Sequence, residues 1–185
     1  MRIIFKIIKK WLPLAIVTAG LCALVYLTVQ QSLRMGANDP QIQMAEDAAS
    51  SLNGGASTES VLPSSKVEIA DSLAPFVIVF DSSGKLLASS ATMHGTVPDY
   101  PVGIFDYVQK NGQDRVTWQP EAGVRMATVV VPYKNGFLMA GRSLNEVEKR
   151  ESQVENLCGL ALLGIWVATL IVVILGELFG RQKSA

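Results

Sequence analysis

Residues 11–29 and 157–176 contain no charged side chain, and no other feature of the chain restricts its fold as strongly. A helix of about 20 residues, rising roughly 1.5 Å per residue, spans the ~30 Å hydrocarbon core of a bilayer. The second stretch holds twelve Leu, Ile or Val residues and the first holds nine. At roughly −0.3 to −0.6 kcal/mol each, these give about −4 to −7 and −3 to −5 kcal/mol of insertion preference. Pro13 falls in the first turn of its stretch, where a missing N–H costs least. A cleaved signal peptide also has a basic start and an apolar core, but that core is usually about 7–15 residues long. Here the run is longer, and Val29-Gln30-Gln31-Ser32-Leu33 offers no small-x-small cleavage site. Leu21 before Cys22 likewise disfavours a lipoprotein site. Two uncleaved membrane helices are the expectation.

Charge sets the expected orientation. Sixteen Lys and Arg balance sixteen Asp and Glu over 185 residues, which excludes a generally basic nucleic-acid binder. The balance hides a segregation. Arg2, Lys6, Lys9 and Lys10 make residues 1–29 +4, ten bases against fifteen acids make 30–156 −5, and Arg181 and Lys183 against Glu177 make 157–185 +1. Basic residues flanking a span stay in the cytoplasm. The expected layout is a basic cytoplasmic N-terminus at 1–10 and a transmembrane helix at 11–29. An extracytoplasmic domain follows at 30–156, then a second transmembrane helix at 157–179 and a cytoplasmic tail at 180–185. This is a two-span cell-membrane protein with both ends inside. Cys22 and Cys158 both fall within the spans, so the central segment has no disulfide or cysteine metal site. Glu177 sits four residues before Arg181, a spacing that suits an ion pair.

Between the spans the hydrophobic period changes several times. Asn38-Asp39-Pro40 predicts a helix start with Asp39 as cap, Ile42, Ala45, Ala49 and Leu52 follow at helical spacing, and Asn53-Gly54-Gly55 ends the helix. This helix is expected to continue from the first span with a break near Gly36. Residues 56–65 read as a loop, and 66–73 as a short helix or turn. Phe76-Val77-Ile78-Val79-Phe80 is a strand, Asp81-Ser82-Ser83-Gly84 a turn, and 85–89 the returning strand. Residues 101–110 predict a helix, with Val102, Phe105 and Val108 in step, and 115–119, 124–133 and 137–141 predict three more strands. The expected core is Phe76, Ile78, Phe80, Leu86, Phe105, Val108, Val129, Val131 and Leu138. Ser143-Leu144-Asn145-Glu146 is a capping box before a last helix that runs uninterrupted into the second span. Val147, Val154 and Ala161 recur every seven residues with Leu144, Glu151 and Cys158 between them, a heptad able to support a homodimer.

The stretch Phe76-Val77-Ile78-Val79-Phe80-Asp81-Ser82-Ser83-Gly84-Lys85-Leu86-Leu87-Ala88-Ser89-Ser90 and the closing strand Gly136-Phe137-Leu138-Met139-Ala140-Gly141-Arg142-Ser143 sit in a distinctive order. Helix, hairpin, helix, three strands and a charged helix entering the membrane resembles the extracytoplasmic PAS-like (Cache, or PDC) sensor domains over roughly residues 30–157. The resemblance implies an α+β fold with a central antiparallel sheet, flanking helices and the PAS-like strand order, set between two transmembrane helices. It also implies dimers and a small-ligand pocket on one face of the sheet. The chain departs from kinases and chemoreceptors after the second span, where only residues 178–185 remain. Its single histidine, His94, lies in the central segment, so it looks like a sensor input without an output domain.

Three further residue sets bear on chemistry. Ser82 and Lys85 have the Ser-x-x-Lys spacing of acyl-transferring serine enzymes, but that chemistry needs one helical face and Gly84 calls for a turn. His94, Asp99 and Asp106 lack close metal-ligand spacing and read as surface residues. Arg115, Trp118, Arg125, Tyr133 and Arg142 are cationic and aromatic residues on predicted strands, and charge-assisted bonds from such residues suit a small carboxylate. Trp118, Arg125 and Tyr133 are the candidate ligand-binding residues. No nucleophile–base pair, cofactor motif or metal motif is present, so no enzyme activity, cofactor or metal is expected. The expected function is a membrane-anchored extracytoplasmic sensing or interaction module. Its expected partners are the lipid bilayer, a second copy of the chain and a membrane kinase or transporter, without nucleic acid. The alternative is a structural accessory subunit of a membrane complex that takes no small-molecule ligand.

Overall fold

The computed structural model describes residues 2–101 and 103–182. They divide into two compact units, one formed by residues 2–33 with 149–182 and the other by Arg34–Glu148. Val102, Lys183 and the side chain of Arg181 lie outside the described residues, so the roles expected of them cannot be placed in the fold.

Two long helices, α1 (Arg2–Gly36) and α4 (Asn145–Gln182), supply the first unit. Both are long and apolar enough to cross a membrane. Pro13 is accommodated inside α1 rather than at its start, because helix begins at Arg2. α1 ends at Gly36 as expected, and after a two-residue turn α2 (Asp39–Asn53) begins. Asp39 is the first helical residue and Asn38 occupies the cap position, without a side-chain capping bond. At the other end the left-handed residue is Gly55 (φ 94°), not Gly54. Ser143 does cap α4, its Oγ accepting from the Asn145 N–H at 3.2 Å.

The second unit is α+β. Its sheet contains β2 (Phe76–Asp81), β3 (Leu86–Ser89), β5 (Asp114–Glu121), β6 (Val124–Tyr133) and β7 (Gly136–Ser143), in the order β3-β2-β7-β6-β5 and antiparallel throughout. Residues 66–73 form no helix; they contribute β1 (Val67–Glu68), which pairs in parallel with β4 (Ala91–Thr92) outside the sheet. The extended backbone wins there because Val67 and Ile69 carry their N–H groups to the carbonyls of Ser90 and Thr92, at 2.7 and 2.8 Å.

Strand alternation sends side chains to two faces, and both are covered. On one face Val77, Val79, Val129, Val131, Leu138 and Ala140 pack beneath α2, which meets them with Ala45, Ala48 and Ala49. Alanines let the helix lie close to a flat β-branched surface. On the other face Phe76, Ile78, Phe80, Met126, Val130 and Met139 pack against α3 (Gly103–Asn111) through Phe105 and Val108. The expected core residues are buried with one exception, Leu86, which is 40% exposed. It lies on β3, the edge strand of the sheet, where few neighbours reach it. The β2–β3 turn is built on Asp81, whose Oδ1 accepts from the Ser83 N–H, the Ser83 hydroxyl and the Lys85 N–H at 2.8, 2.6 and 2.9 Å. Gly84 takes φ 80°, so Ser82 and Lys85 occupy a hairpin turn and not one helical face.

Candidate functional site

Trp118, Arg125 and Tyr133 are not brought together. Trp118 is buried on the α3 face, pointing into the core from β5. Its register partner is Met126, so Arg125, one residue away on β6, points to the opposite face. Tyr133 shares that opposite parity, but eight residues along a strand is about 26 Å at roughly 3.3 Å per residue. Its ring packs at the edge of the α2-side core and its hydroxyl donates to the Phe80 carbonyl at 3.2 Å. Burial, and to a lesser degree the Asp81 charge, raise the Tyr133 phenol above its ordinary value.

Two arginines of the wider set have their own local contacts. Arg125 forms an exposed ion pair with Glu148 at the start of α4. Arg142 donates from Nε to the Leu73 carbonyl at 3.0 Å. Arg115 is exposed on β5. A carboxylate pocket needs such groups aimed at one point, and Arg125 and Arg142 instead make separate structural bonds.

The α3 face of the sheet is filled by aromatic rings. Phe76, Phe80, Tyr100, Phe105, Trp118 and Phe137 form a continuous cluster, with centroid separations from 4.8 Å (Phe105–Phe137) to 6.4 Å. Tyr100 meets Trp118 edge-on at 5.0 Å and 74°. Its hydroxyl shares a hydrogen bond with Thr128 Oγ1 at 3.2 Å, and Thr128 donates onward to the Val116 carbonyl at 2.9 Å. Burial raises the Tyr100 phenol, keeping it neutral. The polar atoms beside the rings thus already have partners within the protein.

Two depressions open on the α2 side. An apolar groove of about 440 Å³ is lined by Met44, Val61, Leu62, Pro63, Pro75 and Val77. A shallower one of about 670 Å³ is lined by Glu46, Ser50, Asn53, Asn111, Gln113 and Pro132. Both volumes match small-molecule sites, but such sites enclose most of the ligand and these are open.

His94 and Asp106 do not join a metal-ligand group; among the described residues no cluster of three or more His, Cys, Asp or Glu side chains is positioned for a metal. His94 instead contacts Glu121, Nε2 to Oε2 at 3.0 Å.

The most specific polar arrangement lies in the two-helix unit and was not anticipated. The Trp11 indole N–H reaches the Trp166 carbonyl at 3.2 Å and Thr169 Oγ1 at 3.0 Å. Reciprocally, the Trp166 indole N–H reaches the Ala15 carbonyl at 3.3 Å and Thr18 Oγ1 at 3.2 Å. The two rings meet edge-on at 5.9 Å and 76°. Each threonine hydroxyl donates back to its own helix, Thr18 to Leu14 and Thr169 to Ile165, both at 2.8 Å. Its lone pairs remain free to receive the indole of the other helix. Between apolar helices, such bonds fix register where hydrophobic contact alone discriminates poorly. Glu177 pairs with Lys10 at 2.5 Å, its side chain 13% exposed. The contact joins the start of one apolar stretch to the end of the other, so the two helices form an antiparallel hairpin. The sequence signal was one Trp and at least one Thr in each charge-free stretch, an expensive choice in hydrocarbon unless each finds a partner.

Comparison with family models, with curated proteins and with solved structures found no match.

Proposed function

We propose that this chain is a membrane-anchored sensing or interaction module, with both termini in the cytoplasm. Its central domain is a PAS-like module outside the cell membrane that acts through a partner membrane protein, a kinase or transporter, rather than by catalysis. Counted along the chain, the five sheet strands lie in the order 2-1-5-4-3, the order expected of a PAS-like sheet. The observation that carries the reading is the chain path at α4. The middle strand of the sheet, β7, ends at Ser143, and α4 begins at Asn145 and remains helical to Gln182. A 38-residue helix is about 57 Å long at 1.5 Å per residue. A shift of the sheet is then passed into the apolar segment as translation or rotation, as in known helix-shift transitions.

The test uses the chain's three tryptophans. In a Trp118→Phe protein only Trp11 and Trp166 remain, both in the two-helix unit. Urea unfolding of the central domain in nanodiscs should change their emission in step with loss of strand signal in circular dichroism. Inserting two glycines after Arg150 should abolish that change. Emission that ignores unfolding of the central domain, with or without the insert, would rule out coupling.

The second reading, a static accessory subunit without a small-molecule ligand, draws on the aromatic cluster. Six rings occupy the sheet face where a ligand of a PAS-like domain would sit. It differs from the first in requiring no coupling, so the same experiment separates them.

A further inference from the structure

His94 occupies an unusual backbone position. Its φ is +52°, the left-handed region, and it is the only described residue other than glycine with a positive φ. A side chain with a Cβ holds that conformation when its surroundings compensate for the strain. Two tethers do so. The Glu68 carboxylate accepts from the His94 N–H at 2.9 Å, from the Gly95 N–H at 3.5 Å and from the Thr92 hydroxyl at 3.2 Å. The His94 ring reaches in the other direction, to Glu121 at the end of β5. Glu68 sits on β1 and Glu121 beside the β5–β6 turn, so His94 ties together segments 26 and 27 residues away in sequence.

The charges acting on the ring are Glu121, Glu68 on β1 and Asp71 in the turn after β1. All three are acidic. The Glu121 hydrogen bond and charge, with smaller contributions from Glu68 and Asp71, outweigh desolvation and raise the imidazole above its ordinary value. For Glu68, desolvation acts upward, but the bonds from His94, Gly95 and Thr92 outweigh it and hold the carboxyl below its ordinary value. Glu68 therefore stays charged throughout the range in which His94 titrates. With His94 protonated, the four groups sum to −2, and with it neutral to −3.

We propose that His94 and Glu121 form a pH-operated clasp that holds residues 93–100 against the β5–β6 hairpin in mild acid and releases them as the pH rises. The sign follows from the direction of the shift. A histidine whose folded value is raised contributes its stabilisation fully below the ordinary value of about 6.5, and the contribution is lost as pH rises through the raised value. Release frees the strained His94 backbone to relax, while the Glu68 tether keeps the segment attached through its backbone. Segment 93–100 ends in Tyr100, a member of the aromatic cluster, so the clasp connects a surface charge to the packed face of the sheet.

His94 is the chain's only histidine, so its protonation can be read without assignment in the full-length protein in lipid nanodiscs. Deuterium exchange at the imidazole C2 position, followed by mass spectrometry across pH 5 to 9, gives its titration midpoint. Backbone amide exchange of the 93–100 peptide, corrected for intrinsic rate, reports release. The wild type should show faster corrected exchange above the His94 midpoint. Glu121→Gln should lower that midpoint and leave the segment equally mobile at all pH values. Glu68→Gln should loosen the segment at all pH values while preserving dependence of the midpoint on Glu121. An unchanged midpoint in Glu121→Gln, or corrected exchange in the wild type that does not follow the midpoint, overturns the clasp.

Discussion

Replacing Trp118 with alanine tests whether the α3 face is a packed core or a pocket in waiting. The side chain is 6% exposed and meets Tyr100 at 5.0 Å and Phe76 at 6.4 Å. Buried Trp→Ala substitutions cost about 3–5 kcal/mol, and each aromatic pair contributes roughly 0.5–1.5 kcal/mol within that loss. The central unit has 115 residues, from 148 − 34 + 1. For a unit of this size, 1 kcal/mol moves the midpoint by roughly 4 °C, so Trp118→Ala should melt about 12–20 °C lower. Tyr100 and Thr128 keep their mutual hydrogen bond, so the vacancy is apolar and shaped like the missing indole. Added indole at about 100 times its Kd should restore about 2.7 kcal/mol. Wild-type protein should show no such response. Thermal scans by circular dichroism with and without indole give both numbers. A loss under about 1 kcal/mol, or organic acids that stabilise the wild type but not the variant, would refute the packed-core reasoning.

A Cβ added at Gly141 would lie 2.3 Å from the Phe76 ring, so Gly141→Ala should cost about 1–3 kcal/mol by overpacking. Phe76→Leu in the same chain should return part of that cost, and strictly additive losses in chemical denaturation would contradict the contact. Trp166→Phe removes two indole hydrogen bonds to α1 and should weaken the helix hairpin by about 0.6–1.7 kcal/mol. Unaltered disulfide-trapping rates between cysteines placed across the two helices would argue against it. Asp81 is held below its ordinary value by bonds from the Ser83 hydroxyl and the Lys85 and Ser83 N–H groups. Its contribution to the turn should be complete above about pH 4 and fade as pH falls through the lowered value. Amide shifts of Ser83 and Lys85 that move at or above the ordinary value would count against this.

Much of the fold was legible because each element carried a local signal. The strand at 124–133 and the Asp81–Gly84 turn were readable from alternation and turn chemistry, and both occur as expected. Helix boundaries held within two residues where glycines follow, as at Gly36 and at Asn111-Gly112. Within residues 66–73 the expected turn occurs at 69–71, but β1 was not readable, because it has only two residues and its pairing partner, β4, lies over twenty residues later. Such a bridge has no local pattern. Leu86 was assigned to the core on hydrophobicity alone; its exposure follows from the edge position of β3, which is a property of strand order. Likewise the indole–threonine bonds depend on which faces of α1 and α4 meet, and no spacing within one helix encodes that.

The candidate site failed for a reason that strand geometry partly contained. Arg125 and Tyr133 share parity on β6, but eight positions separate them, which already precluded one compact site. Trp118 belongs to another strand, and only the register opposite Met126 reveals that it faces away from both. What the sequence left open was the covering of the two faces. α2 presents small alanines to one side and so seals it closely, while six aromatic rings from strands, α3 and the Tyr100 loop close the other. With the strand side chains of both faces packed, the parts of this sheet left accessible are at its perimeter: the edge strands β3 and β5, the connecting turns and the ends of β7. His94, Glu68 and Glu121 lie on that perimeter, and α4 departs from it. On the sensing role proposed above, the expected determinants are loop-to-strand contacts between polar residues of long sequence separation, rather than an interior cavity.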